Sequence, residues 1–144
     1  MEIKNVRIEP ATQADISFLR AEILAFNNRH VPFVSEQLIA KDYVVKENGI
    51  VIAGIKGMIY HWNILYIDVL FVAESHRGKN LASRLLYQVE WEAKAVGATL
   101  SHLDTFDFQA KDFYLKQGYE VFGVLEDCPP GHQRFYLKKD LREA

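Results

Sequence analysis

Several segments of the chain concentrate or alternate apolar residues in the manner of β-strands. The first, Val6–Pro10, is a short alternating run that stops at a proline. Asn48–Gly49 separates two further runs, Tyr43–Lys46 and Ile50–Tyr60, and this dipeptide is typical of a tight hairpin turn. The next run, Ile64–Val72, is apolar on both faces, so we expect a central strand that is covered on both sides.

Helical spacing of apolar residues predicts a first helix after Thr12, which stands at an N-cap position with Asp15 three residues later. One face of this helix carries Ile16, Leu19, Ile23 and Phe26, and the helix is expected to end near Asn27-Asn28. After a loop-rich stretch, a short helix is expected over residues 36–41.

The second half of the chain combines helical and strand patterns. A helix is predicted over Lys79–Val96, ended by a glycine, and is followed by a strand over Thr99–Asp104. A strand, a helix and a strand in this order imply a right-handed parallel crossover. A further helix over Gln109–Gln117 precedes two alternating strands, Tyr119–Leu125 and Gln133–Lys138. The sheet is therefore predicted to be mixed, antiparallel at both ends with a parallel pair in the middle.

Length and composition limit the class of protein. With 144 residues, of which 49% are hydrophobic and 25% charged, the chain is expected to form a single soluble globular domain over residues 1–144. Its longest apolar run is too short to span a membrane, and its charged N-terminus does not resemble a secretion signal, so a cytoplasmic location is expected. A net charge of −2 argues against a nucleic-acid surface.

The cysteine and histidines do not predict a metal or nucleophile site. Cys128 is the only cysteine and stands next to Glu126 and Asp127, whose charges oppose thiolate formation. The histidines show no metal-ligand spacing, so no metal is expected.

The most informative segment for function is Arg77–Leu86, in which a glycine turn with two cations leads directly into an amphipathic helix. The first amides of a helix have no partner within the helix, and the helix dipole adds partial positive charge at the same end. Such a turn is typical of a binding site for an anion with several oxygens.

Together with the preceding apolar strand, this segment resembles the GNAT superfamily of N-acetyltransferases. The pyrophosphate loop of that superfamily reads Gln or Arg, two residues, Gly, any residue, then Gly or Ala. Arg77-Gly78-Lys79-Asn80-Leu81-Ala82 fits this pattern except that Asn80 replaces the first glycine, and Asn tolerates left-handed backbone angles better than most residues. A later segment resembles the family's second motif, through Asp107, Ala110, Phe113-Tyr114, Lys116 and Gly118-Tyr119. The resemblance covers nearly the whole chain.

The resemblance implies a mixed α/β (α+β) fold: a mostly antiparallel sheet of about six or seven strands, helices on both faces, and a parallel strand pair that splays apart. It implies a transferase in which an acceptor amine attacks the thioester of acetyl-CoA directly. The pantetheine arm would lie along the main chain of Leu70, Phe71 and Val72. Asp107 stands where the family often has an Asn that contacts the pantetheine arm. The residues expected to bind the cofactor also include Arg77, Gly78, Lys79, Asn80, Leu81, Ala82, Ser83, Asp107, Ala110 and Tyr114.

The reaction also requires proton transfers. Tyr114 matches the family tyrosine that protonates the leaving thiolate. Asp68, Glu74 and His102 are candidates for the base, and Asp68 is preferred because it interrupts an otherwise apolar strand.

The acceptor is the least predictable part of the reaction. By resemblance, its pocket is expected to include Phe26, Asn27, His30 and Phe33, with Pro130–Arg134 as another wall. A primary amine of a small molecule, a peptide terminus or a lysine would suit. An acyl-CoA-binding sensor with little turnover, and a longer acyl donor or O-acyl transfer, remain alternatives. The family also suggests a homodimer.

Overall fold

The computed structural model describes residues 5–142 of the chain in two compact units, one ending at Phe33 and the other beginning at Val34. The first four residues, on which much of the expectation about secretion rests, lie outside this range. Among residues 5–142, no helix is both long and apolar enough to cross a membrane.

The first unit contains helix α1, Gln13–His30. Its start confirms the predicted capping box: the Thr12 amide donates to Asp15 Oδ2 at 2.9 Å, and the Asp15 amide donates to Thr12 Oγ1 at 3.1 Å. These two bonds satisfy amides that the helix itself leaves unpaired. The strand predicted at Val6–Pro10 is wrong: this segment is irregular, because alternation alone forms no strand without a paired neighbour.

The second unit is a six-stranded sheet with two helices. Its elements are β1 (Ile39–Glu47), β2 (Ile50–Tyr60), β3 (Ile64–Val72), a helical turn (Glu74–His76), α2 (Leu81–Ala95), β4 (Leu100–Phe106), α3 (Lys111–Lys116), β5 (Glu120–Glu126) and β6 (Gln133–Asp140). The strand order is β1-β2-β3-β4-β6-β5, and only β3 and β4 pair in parallel. The mixed, mostly antiparallel sheet is therefore confirmed.

The beginning of this sheet corrects one expectation and confirms another. The helix predicted over residues 36–41 is wrong, because Ile39 already pairs with Ile59 as the first residue of β1. The hairpin between β1 and β2 forms as predicted. Asn48 and Gly49 both have positive φ, of 51° and 78°, as a two-residue turn between twisted antiparallel strands requires.

A single buried cluster holds α2 and α3 to the sheet. Leu86 and Val89 of α2 are buried with Leu65 of β3 and Leu137 of β6, and Tyr114 of α3 belongs to the same cluster. Burying each aliphatic side chain of this kind contributes about 1.5–3 kcal/mol. Both helices of this unit thus pack into one core, and the expectation of helices on both faces of the sheet stays a prediction.

A β-bulge in β3 determines which of its side chains face this core. Ile67 pairs with Gly57 and Val69 with Lys56, so Asp68 is an extra residue without a partner on β2. Before the bulge, Ile67 is buried, whereas after it Leu70 packs against the core. Asp68 and Val69 are therefore both exposed. The expectation that β3 is covered on both sides is wrong for its second half, where Val69 is 49% and Phe71 53% exposed.

Candidate active site

The central feature of the site is the divergence of β3 and β4. The two strands pair only from Ile64 opposite Leu100 to Ile67 opposite Leu103. Beyond this point β3 continues beside β2 and β4 continues beside β6. The edges that no longer face a partner leave backbone amides and carbonyls available to a ligand.

A cavity of about 980 Å³ opens at this divergence. Its size lies at the upper end of the usual range for small-molecule sites and suits an extended ligand. Of the residues predicted to bind the cofactor, the structure brings together Leu70, Phe71, Val72, Arg77, Gly78, Asn80, Leu81, Ala82, Ser83, Asp107, Ala110 and Tyr114 in its wall. Lys79, also predicted, is exposed and is not part of this lining.

One end of the cavity is the turn that leads into α2. Gly78 has a φ of +79°, and a Cβ placed there would meet nothing within 4 Å, so backbone conformation rather than space requires glycine. Asn80 is the N-cap residue with φ 60° and ψ 20°, the left-handed conformation expected of it. Its side chain makes no capping hydrogen bond, so the first amides of α2 are left to a ligand or to water.

Contacts within the protein hold two side chains near this turn, Arg77 and His76. Arg77 Nε donates to the carbonyl oxygen of Val72 at 3.2 Å, which ties the turn to the end of β3. His76, which also lines the cavity, lies 3.1 Å from a carboxylate oxygen of Glu47 through Nε2. Backbone amides, the helix dipole and the Arg77 guanidinium together make this end suitable for a pyrophosphate.

Tyr114, on α3, also lines the cavity. Its side chain is 6% exposed and packs against the rings of Phe113 and Tyr119, with centroids at 5.2 and 5.8 Å. Burial raises the pKa of the Tyr114 phenol to about 12, and the charge of Asp104 adds to this shift. The phenol is therefore protonated at neutral pH and can donate a proton to a leaving thiolate.

Comparison with known proteins identifies the family of the chain. A model of the Acetyltransferase (GNAT) family matches residues 15–119. The chain belongs to the GNAT family. It is an acetyl-CoA-dependent N-acetyltransferase.

Individual relatives support this membership. A blasticidin-S acetyltransferase from Streptomyces morookaense is 36% identical over 100 residues, which are 69% of this chain and 73% of that protein. The crystal structure of an acetyltransferase from Bacillus cereus superposes with a TM-score of 0.87 at 33% identity, covering 96% of this chain and 99% of that one. A candidate streptothricin acetyltransferase from Bacillus anthracis, solved with acetyl coenzyme A, has a TM-score of 0.61 at 21% identity over 69% of this chain and 61% of its own, and shares the fold.

In this GNAT enzyme, the Asp107 carboxylate contacts two residues near the start of β6, His132 and Gln133. Its Oδ1 lies 2.9 Å from His132 Nδ1, and its Oδ2 accepts a hydrogen bond from the Gln133 amide at 3.0 Å. Both carboxylate oxygens are thus engaged with the start of β6. Asp107 lines the cavity, but its predicted contact with a pantetheine arm would have to use the remaining lone pairs of these oxygens.

The three base candidates lie in different environments. Asp68 lines the cavity and is exposed at the bulge. Glu74 lies in the helical turn after β3 and, like His102, is not part of the cavity lining. His102 Nε2 is 2.7 Å from the Tyr60 hydroxyl, and burial lowers the pKa of its imidazole. Of the three, only Asp68 lines the cavity, and its role as the base stays a prediction.

The sequence analysis missed several residues of the cavity wall, among them Asp104. Arg134 donates to Asp104 Oδ1 from Nη2 at 2.7 Å and from Nε at 3.0 Å. Thr105, Gln109 and Lys111 also line the cavity. The signal that could have found Asp104 is its place at the carboxyl end of a parallel strand, where α/β sheets commonly bind ligands.

The predicted acceptor residues belong to the first unit. Phe26 and His30 stack with ring centroids 4.2 Å apart, and Asn28 Oδ1 accepts from the Phe33 amide at 2.8 Å. The Asn27 carbonyl accepts the amide that follows the helix, that of Val31, at 2.8 Å. Their role in acceptor binding stays a prediction. Of the predicted second wall, Gln133 lines the large cavity.

Within residues 5–142, no group of three or more His, Cys, Asp or Glu side chains is arranged to hold a metal ion. Cys128 is partly exposed, and its amide donates to the carbonyl of His132 at 3.1 Å.

Proposed function

We propose that this enzyme transfers the acetyl group of acetyl-CoA to a primary amine of a small-molecule acceptor by direct attack on the thioester. The observation that carries the proposal is the cavity at the divergence of β3 and β4, which joins an anion-binding turn to the protonated phenol of Tyr114. A donor with a phosphate-rich end and a thiol leaving group fits these two features.

The chain's own residues would perform three tasks. Amides from Gly78 to Ser83 and the Arg77 guanidinium bind the pyrophosphate, and the unpaired edge of Leu70–Val72 pairs with the amides of the pantetheine arm. Holding donor and acceptor together removes much of the entropic barrier to their reaction. The third task is proton transfer.

The proton transfers involve Asp68 and Tyr114. As the acceptor nitrogen bonds to the acetyl carbon and the carbon–sulfur bond breaks, the amine loses a proton to Asp68 or to water beside it. The departing thiolate receives a proton from the Tyr114 hydroxyl. The phenol then takes a proton from solvent and Asp68 releases the proton it accepted to solvent, which returns the enzyme to its starting state.

The relative from Streptomyces morookaense supports a small-molecule acceptor and suggests blasticidin S as the first compound to test. The experiment incubates the purified protein with acetyl-CoA and one amine at a time: blasticidin S, aminoglycosides, alkyl polyamines, a lysine peptide and a peptide with a free N-terminus. Released thiol is measured together with the mass of the acceptor.

The expected result is thiol release in equal amount to an N-acetylated small molecule. Acetylation of only the peptides would contradict the small-molecule acceptor. Tight acetyl-CoA binding without thiol release for any amine would favour a sensor over an enzyme in this chain.

We also propose that the enzyme is a homodimer. β5 is the last strand in the sheet order, and Phe122, Val124 and Leu125 on it are exposed. An exposed apolar edge strand is suited to pairing with a second copy. Light scattering should give twice the chain mass of 16.6 kDa, and a monomer at micromolar concentration would contradict the proposal.

A further inference from the structure

Asp104 occupies a distinctive place in β4. It directly follows Leu103, the last residue of β4 that pairs with β3, and it lines the cavity. Its side chain is 18% exposed. The carboxylate therefore stands at the point where the parallel strands separate, in the wall of the cavity.

Neighbouring side chains hold the Asp104 carboxylate in one orientation. Both hydrogen bonds from Arg134 go to Oδ1, and the Tyr66 hydroxyl donates to Oδ2 at 3.2 Å. The guanidinium of Arg134 lies 5.4 Å from the ring centroids of both Phe106 and Tyr136, which restrict its movement. Because a carboxylate oxygen can accept about two hydrogen bonds, Oδ2 retains capacity for a further donor.

Acidic side chains outnumber basic ones in the cavity lining, with Asp68, Asp104, Asp107 and Asp112 against Arg77 and Lys111. Arg134 compensates the charge of Asp104. The Asp104 carboxylate also helps to raise the pKa of Tyr114, another residue of the cavity lining.

We propose that Asp104, held by Arg134 and Tyr66, binds the ammonium group of the acceptor and makes the enzyme selective for cationic amines. The inference rests on the proposed function and names the substrate class of the same site. A carboxylate that stabilises an ammonium does not help it to lose a proton. Asp104 therefore acts on acceptor binding and is a specificity-determining residue rather than the base.

The test uses the best acceptor from the amine panel and two analogues that cannot form its product. One analogue carries a dimethylamino group, which is protonated at pH 7, and the other carries a hydroxyl group. In Asp104→Asn, the KM of the acceptor and the inhibition constant of the dimethylamino analogue should each rise about 10- to 100-fold, as expected for loss of a charged hydrogen bond. The inhibition constant of the hydroxyl analogue should change little.

Two further variants separate this role from a structural one. Asp140 is a matched control, because it also accepts two hydrogen bonds from an arginine, Arg142, and lies opposite Leu100 at the other end of β4. Asp140→Asn should leave all constants unchanged. Tyr66→Phe keeps the Asp104–Arg134 pair and should raise the same two constants as Asp104→Asn by a smaller factor. Calorimetric binding of acetyl-CoA verifies that each variant is folded.

The outcomes distinguish the inference from the proposed function. If the wild-type protein acetylates no amine, the proposed function fails first. If it acetylates an amine but Asp104→Asn binds the dimethylamino analogue as well as before, or loses affinity equally for both analogues, only this inference is overturned. A fall in kcat with an unchanged acceptor KM would also overturn it and would make Asp104 a group of the chemical step.

Discussion

At the scale of single residues, Gly78 and Asn80 determine how the backbone approaches a bound anion. Both have positive φ, of 79° and 60°, and both lie just before α2 begins at Leu81. Such angles disfavour residues with a Cβ, although Asn tolerates them better than most. The sequence motif predicts both conformations, and the structure agrees.

Replacing Gly78 by Ala tests the backbone of this turn. No atom lies within 4 Å of the new Cβ, so the change acts through the positive φ and should cost about 1–2 kcal/mol of local strain. Relaxation of the turn would misdirect the amides of α2, and we expect the dissociation constant of acetyl-CoA to rise about tenfold, as measured by calorimetry.

Gly49→Ala is the matched control, since Gly49 has φ +78° and equally open surroundings in the β1–β2 hairpin. It should lower stability similarly and leave acetyl-CoA binding unchanged. Asn80→Gly should bind acetyl-CoA at least as tightly as the wild type. Equal binding by the Gly78 and Gly49 variants would refute a role for the turn.

Tyr114 is the second residue whose role can be isolated. Tyr114→Phe removes the hydroxyl and keeps the ring in its packing, so kcat should fall about 100-fold with little change in the KM of acetyl-CoA. An unchanged kcat would eliminate Tyr114 as the acid.

The pH dependence follows from the pKa of about 12. A raised pKa means that the folded protein retains this proton, so the acid form is present at neutral pH and is lost only as pH rises toward 12. The wild-type rate should therefore show no loss attributable to Tyr114 below about pH 10, the usual tyrosine pKa. A descending limb near pH 8 that is absent from Tyr114→Phe would contradict the raised pKa of Tyr114.

At the scale of elements, the bulge at Asp68 explains why the predicted β3 differs from the observed one. The run from Ile64 to Val72 has apolar residues at odd and even positions, which without further information indicates a strand covered on both faces. The bulge instead shifts the core-facing positions from Leu65 and Ile67 to Leu70 and Val72. A one-residue insertion in a ladder depends on the partner strand, so the sequence of β3 alone cannot reveal it.

The attachment of α2 to β1 provides a prediction about stability. Glu92 of α2 accepts hydrogen bonds from Lys41 Nζ at 2.9 Å, the Tyr43 hydroxyl at 2.6 Å and Gln88 Nε2 at 2.8 Å. These bonds, first that from Tyr43, lower the pKa of Glu92 to about 2. Glu92→Gln should reduce the free energy of unfolding at pH 7 by about 1 kcal/mol, a value reduced because the site is near solvent.

The sign of the pH effect is determined by the lowered pKa. The stabilisation from Glu92 is present above the ordinary glutamate pKa and disappears as pH falls from about 4.5 toward 2. Urea denaturation at pH 7 and pH 2.5 should show the difference between wild type and Glu92→Gln shrinking at the lower pH. A difference that stays constant would show that Glu92 acts without its charge.

At the scale of the whole molecule, the cavity combines two charged regions that come from different parts of the chain. Arg77 lies at the turn before α2, and Asp68 and Asp104 lie where β3 and β4 separate. The turn could be predicted because its residues are consecutive and match a family motif. The pair of Asp104 and Arg134 could not, because it depends on the register of β4 with β6, which no local pattern contains. The resemblance thus predicted many of the residues that line the cavity, whereas contacts between distant strands were needed to find the pair of Asp104 and Arg134.

The most direct test of the account is a crystal structure of this protein with coenzyme A. The account predicts pyrophosphate oxygens on the amides between Gly78 and Ser83, the pantetheine arm along Leu70–Val72, and the sulfur within hydrogen-bonding distance of the Tyr114 hydroxyl. Coenzyme A bound outside this cavity, or a sulfur far from Tyr114 with the cofactor otherwise in place, would contradict it.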